Sequence, residues 1–215
     1  MARLAPVSSR PRKPAKILGL FLAGLCLGVA GYLIGERVAA SGAFDDLPVR
    51  WADLLAAFVG LIMVVAAGAT ALISLSPAAL ARTLNLEGRA GPDEIRDTRL
   101  QAVILALSGV IVILPPLLAL ADVGAAPALA LLAVLLVVHT VLNLALYRRV
   151  DELFRRAVIE AGALTFWLGQ GVLFLWAVAE RLGVAPALTG WDIYVVLLTA
   201  YLIASVGVAA RRGLA

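Results

Sequence analysis

The 215-residue chain holds one cysteine and one histidine, and only 15% of its side chains are charged, against about 25% in ordinary soluble domains. A lone Cys26 excludes an intramolecular disulfide and a cysteine-based zinc site. A lone His139 excludes a His-Glu-x-x-His metal pair, and a haem held by two histidines needs the second from another subunit. There is no Gly-x-Ser-x-Gly nucleophile elbow, no phosphate-binding loop and no cluster of acids suited to a divalent cation. These gaps point away from an enzyme and require neither a cofactor nor a metal.

What is present is hydrocarbon. Hydrophobic residues make up 63% of the chain and the mean hydropathy is +1.01, gathered in long runs rather than at alternating or helical spacing. Six runs, at 17–35, 54–75, 100–121, 123–147, 161–179 and 193–210, reach the roughly 18–20 residues that cross a hydrocarbon core of about 30 Å. Each must be helical, because backbone N–H and C=O groups in lipid find partners only within the segment. The expected fold is an all-α polytopic bundle, residues 17–212, of six transmembrane helices arranged as three αα-hairpins. The first run resembles a signal peptide in its basic prelude, but its 19 residues exceed the roughly 7–15 of a signal's apolar region.

Sidedness follows from Lys and Arg. Fifteen of the 18 fall in the N-terminal tail, the second connection, the fourth connection and the C-terminus; Arg37, Arg50 and Arg181 fall on the opposite side. The alternation places both termini in the cytoplasm of a bacterial-type inner membrane. It also accounts for the net charge of +4 without nucleic acid: the basic residues sit at membrane edges, where they meet anionic lipid, and no aromatic-interleaved basic patch exists to stack bases.

Along the chain, residues 1–16 read as a disordered basic tail. Ser76-Pro77 is a polar cap followed by proline, the start signal of a short interfacial helix, and Pro92-Asp93-Glu94 opens the third membrane helix before its apolar run begins. At an offset of 59, Gly124-Ala-Ala-Pro-Ala-Leu129 aligns with Gly183-Val-Ala-Pro-Ala-Leu188 and Arg96 with Arg155. Residues 96–149 and 155–208 are therefore expected to be duplicated hairpins in the same orientation.

Polar groups inside the runs are few. His139, Asn143 and Tyr147 share one face of the fourth run, with His139 about 13 Å from Arg148 at 1.5 Å per residue. Gln170 lies at similar depth in the fifth run and faces His139 if the two helices are antiparallel neighbours. His139, Asn143 and Gln170 form the candidate polar site, read either as a substrate or proton station or as interhelical hydrogen bonding. Gln101 and Glu160, equivalent in the repeat, are candidates for a cytoplasmic gate. The cluster Arg148, Arg149, Asp151, Glu152, Arg155 and Arg156 is a candidate docking element or an ordinary basic turn. Gly24, Gly28, Gly31 and Gly35 line one face of the first run in a tandem small-xxx-small pattern, which lets helix backbones approach. Pro115-Pro116 removes two backbone donors and is expected to kink the third helix.

Little intramembrane charge, short loops and a glycine face favour a structural, assembly or interaction subunit, with the bilayer and a homo-oligomer or membrane-complex partner as its contacts. The alternatives are a small solute transporter, with a polar site between the fourth and fifth helices, and a membrane-embedded enzyme.

Overall fold

The computed structural model describes residues 50–84 and 86–212. The tail, the first apolar run with Cys26 and the Gly24, Gly28, Gly31, Gly35 face, and most of the loop after it lie outside the described residues. The described part is helical, without strands: α1 (Trp51–Ile73), α2 (Pro77–Thr83), α3 (Pro92–Leu120), α4 (Ala125–Tyr147), α5 (Glu152–Arg181) and α6 (Gly190–Arg212). All but α2 are long and apolar enough to cross a membrane, as a multi-pass membrane protein requires.

Local chemistry sets the boundaries. The Ser76 Oγ accepts the Ala79 N–H at 3.3 Å and Pro77 follows, which starts α2 where the sequence signals it. Helix α3 begins at Pro92, eight residues before its apolar run, with Asp93 and Glu94 in its first turn. Helix α5 begins at Glu152, nine residues before its run, because Asp151 Oδ1 accepts the Phe154 N–H at 2.8 Å. At 29 and 30 residues, α3 and α5 are about 44 Å long, so their charged first turns stand outside a 30 Å core. Helix α3 continues through Pro115 and Pro116, which remove the donors to the carbonyls of Ile111 and Val112 without ending it.

Helices α3 and α5 stop in the same way. After α5, Gly183 takes φ +74°, its N–H bonds the Glu180 carbonyl at 3.0 Å and the Val184 N–H bonds the Ala179 carbonyl at 2.9 Å. After α3, Asp122 takes φ +51°, with matching bonds to Ala119 at 3.2 Å and from Val123 to Leu118 at 3.0 Å. Both are Schellman closures. They lie 61 residues apart, not the 59 of the sequence match, so the matched hexapeptides diverge: Ala125–Leu129 open α4, whereas residues 183–188 are a connector before α6.

Neighbours run in the order α4, α3, α1, α6, α5, with α1 between α3 and α6. The broadest contact is α1 on α3. There Gly60 and Gly109 face each other: a Cβ on Gly60 would lie 2.8 Å from the Gly109 carbonyl oxygen, and one on Gly109 would lie 2.6 Å from that of Gly60. The two backbones touch, so only glycine fits either position. Ala56 of α1, Val112 of α3 and Val195 of α6 form a buried cluster where the three helices meet, flanked by Leu55, Trp191 and Leu198. A second small cluster, Leu80, Ala81 and Ala90 against Ile73 and Ile95, folds the α2 connection onto the ends of α1 and α3.

Gly60→Leu or Gly109→Leu is expected to destabilise the bundle by about 1–3 kcal/mol, the range for overpacking, because a backbone carbonyl cannot move aside as a side chain can. Gly68, with nothing within 4 Å, is the control: Gly68→Ala should be neutral or stabilising by up to about 1 kcal/mol. SDS titration in mixed micelles, followed by circular dichroism, measures both; equal effects at Gly60 and Gly68 would remove the backbone contact as the cause.

Candidate functional site

In hydrocarbon the polar side chains are the informative ones, and two groups of them lie near the middle of the described membrane-length helices, apart from Thr140 and Thr199, which bond back to their own helices. The first joins α3 to α4. His139 Nε2 lies 2.6 Å from Ser108 Oγ and 3.0 Å from Asn143 Nδ2. Asn143 sits one turn on, and its Nδ2 also donates to the His139 carbonyl at 2.9 Å. Ser108 Oγ is 2.8 Å from the Ile104 carbonyl. With the amide oriented this way Nε2 accepts, so a neutral imidazole with its proton on Nδ1 fits the arrangement. The serine has one proton to give, to Nε2 or to the Ile104 carbonyl. The knot is short, direct and interhelical. Its serine was legible only as one of the few polar residues in the third run.

The second station lies between α5 and α6, a groove of about 630 Å³ lined by Gly162, Thr165, Phe166, Gln170, Leu173, Phe174, Leu197 and Tyr201. Gln170 lies here, away from His139. The expected antiparallel packing of α4 on α5 is not the main one: α4 packs on α3 and α5 on α6. His139 and Asn143 are thus brought together and Gln170 is not. Thr165 is turned back onto the Ala161 carbonyl at 2.8 Å. Gly169 is pressed against α6, where a Cβ would meet Leu197 Cδ2 at 2.6 Å.

At the basic end, the candidate docking residues are largely spent on the chain itself. Asp151 caps α5, Arg156 pairs with Glu152 at 3.0 Å, and Arg149 reaches Asp97 of α3 at 3.6 Å. Arg155 donates to the carbonyls of Tyr147 and Arg148 at 3.1 and 3.3 Å and lies over the Tyr147 ring. These contacts hold the tight α4–α5 turn. Of the two gate candidates, Glu160 is clamped by Arg211 at 2.7 Å and by Arg212 Nε at 2.8 Å, while Gln101 is exposed.

The opposite end carries a network that the sequence showed only as scattered interfacial residues. Asp192 is fully buried, and its Oδ2 accepts from Arg50 Nη2 at 2.7 Å and from the Thr189 N–H and Oγ1 at 2.8 Å each. Trp191 Nε1 donates to Asp53 Oδ1 at 2.8 Å, and the Arg50 N–H reaches Asp53 Oδ2 at 3.0 Å. Crosswise, these bonds tie the start of α1 to the start of α6. Among the described residues no cluster of three His, Cys, Asp or Glu side chains is placed to hold a metal ion. No protein-family model, curated protein or solved structure matches the chain.

A double-mutant cycle of Ser108→Ala and His139→Leu should show a coupling of about 0.6 kcal/mol, the average for interhelical hydrogen bonds in membranes, and no more than about 1.7; additive effects would mean the two helices are not joined through this pair. Arg50→Gln should cost about 1.5–3 kcal/mol, as for a charged hydrogen bond to a buried group, whereas Arg156→Gln, whose pair with Glu152 is exposed, should cost under about 1 kcal/mol. Equal unfolding midpoints for these two variants would contradict the weight given to Asp192.

Proposed function

We propose that this protein is a non-enzymatic structural, assembly or interaction subunit of a bacterial-type inner-membrane complex, crossing six times as three αα-hairpins with both termini cytoplasmic. The observation that carries the reading is the α3–α4 knot. The one histidine in the chain has Nε2 engaged with Ser108 of the neighbouring helix and Asn143 of its own. A transported solute or proton needs polar groups that exchange partners along a path; here Ser108, His139 and Asn143 hold two helices together. The separation of Gln170 from that group works in the same direction. So does the use of Glu152, Arg149, Arg155 and Asp151 in tying turns and helix ends, which leaves the basic end a scaffold rather than a gate.

Blue-native electrophoresis and co-purification from source membranes test this. A defined species larger than the monomer, holding a second copy or a fixed partner, is the expected result. A lone monomer whose reconstitution into liposomes gives His139-dependent solute uptake would overturn it in favour of transport.

A further inference from the structure

The connection from α1 to α3 is a built surface rather than a loose loop. Beyond α2 the chain folds back on that helix: the Leu86 N–H bonds the Ala81 carbonyl at 2.8 Å, the Ala90 N–H bonds the Pro77 carbonyl at 3.1 Å, and Gly88 makes the turn at φ +100°. Leu80, Ala81 and Ala90 are buried together against Ile73 and Ile95. Arg82 follows one member of that cluster and Arg89 precedes another, so the two arginines belong to one surface. Both are exposed, as are Leu84 and Leu86, at 45% and 39%.

The arginines of the basic end fall into two sets. Arg96, Arg149, Arg156, Arg211 and Arg212 each pair with a carboxylate, and Arg155 closes the α4–α5 turn. Among the described residues, Arg82 meets only the Ala78 carbonyl of its own helix, at 3.3 Å, and Arg89 has neither hydrogen bond nor ion pair. Glu87 and Glu94 stand on the same stretch of chain, and neither pairs with an arginine. Depth is set by Ile95, on which the α2 cluster packs. It lies five residues, about 8 Å, before the apolar run that opens at Leu100. The headgroup layer extends about 5–8 Å beyond the hydrocarbon on each side.

We propose that this connection binds anionic phospholipid, with Arg82 and Arg89 on the headgroup phosphate and Leu84 and Leu86 against the acyl chains. Guanidinium forks match phosphate oxygens, and a surface that is cationic and apolar at headgroup depth fits a ligand that is anionic and apolar there. The chain's own undescribed residues offer no such match. Residues 1–35 hold five Lys or Arg and no carboxylate, and the apolar run 17–35 holds no charge at all. Glu36, Asp45 and Asp46 precede Arg50, at the start of α1, whose 23 residues put that end about 34 Å from Ile73. The lipid site goes beyond the subunit reading and stands or falls apart from it.

Native mass spectrometry of the full-length protein in uncharged detergent, titrated with phosphatidylglycerol or phosphatidylcholine, tests the site. Phosphatidylglycerol should be retained more tightly than phosphatidylcholine. Arg82→Gln and Arg89→Gln should each weaken it about fivefold, the equivalent of about 1 kcal/mol per basic residue at a membrane surface. Arg82→Lys with Arg89→Lys, which keeps the charge, should keep most of the affinity. Arg156→Gln, whose guanidinium is already paired with Glu152, should bind as wild type does. Leu84→Ser with Leu86→Ser should weaken retention, and inorganic phosphate should not displace the lipid; both outcomes separate a phospholipid from a free phosphate. Helix content by circular dichroism should be unchanged in the glutamine variants, since neither arginine pairs with a carboxylate within the described fold. The proposal is overturned if the Arg82→Gln, Arg89→Gln double variant retains phosphatidylglycerol as wild type does, if Arg156→Gln loses as much, if phosphatidylcholine binds equally, or if inorganic phosphate displaces the lipid.

Discussion

The contact of the Gly60 backbone with the Gly109 backbone is the constraint on which the described bundle is built. Between transmembrane helices there is no hydrophobic driving force, because lipid tails are as apolar as leucine; what holds helices together is close packing and polar bonding. At Gly60 and Gly109 the packing reaches its limit, with carbonyl oxygens under 3 Å from where a Cβ would be. This fixes the crossing of α1 on α3. It thereby brings Ala56 and Val112 to the point where Val195 of α6 closes the cluster. The other helices take their places from that pair: α4 through α3, and α5 through α6.

Polar bonds then lock what packing has placed, at three depths. At one end Arg50 and Trp191 cross between α1 and α6, and in the middle His139 and Ser108 cross between α3 and α4. At the other end Glu160 and the Arg211–Arg212 pair cross between α5 and α6. Each of these three interfaces therefore has a polar fastener in addition to its apolar contact, and different fasteners serve different pairs. In a solvent that offers no hydrogen bonds the penalty for an unmet polar group is high, so such crossings define which helix pairs with which more sharply than interchangeable Leu and Val faces do.

Much of this was legible in the sequence. Five of the apolar runs lie in membrane-length helices, two of which, α3 and α5, begin eight and nine residues ahead of their runs, and the Ser76-Pro77 and Pro92 signals marked real starts, because caps and prolines act locally. The early start of α5 was less visible, since a run of apolar residues marks the lipid and not the helix. Pairing was harder still. Chain proximity put Gln170 opposite His139, but the α4–α5 turn is tied at its own end by Arg155 while the helices above it pack elsewhere. Gly60 and Gly109 carry no sequence signal, because single glycines in separate runs have no periodic pattern, unlike Gly24, Gly28, Gly31 and Gly35. Arg50 and Asp192, 142 positions apart, had no sequence signal joining them.

The stretches that match at offset 59 differ in what their residues contact. Arg96 and Arg155 align in register, yet Arg96 pairs with Asp93 and Asp97 of its own helix, whereas Arg155 bonds the carbonyls closing the preceding turn. Of the hexapeptides that align best, the first leads into α4 and the second is a connector before α6. The Schellman closures before them are two residues out of step, and the longer connector is held by Trp176 Nε1 on the Pro186 carbonyl at 3.0 Å. That extra length lets α6 start later, with Asp192 buried against Arg50, where the corresponding stretch of α4 is apolar and largely exposed. Among the described residues the two stretches thus have unlike neighbours: α6 is bound to α1 as well as to α5, and α4 is held by its contact with α3 and the His139–Ser108 bond.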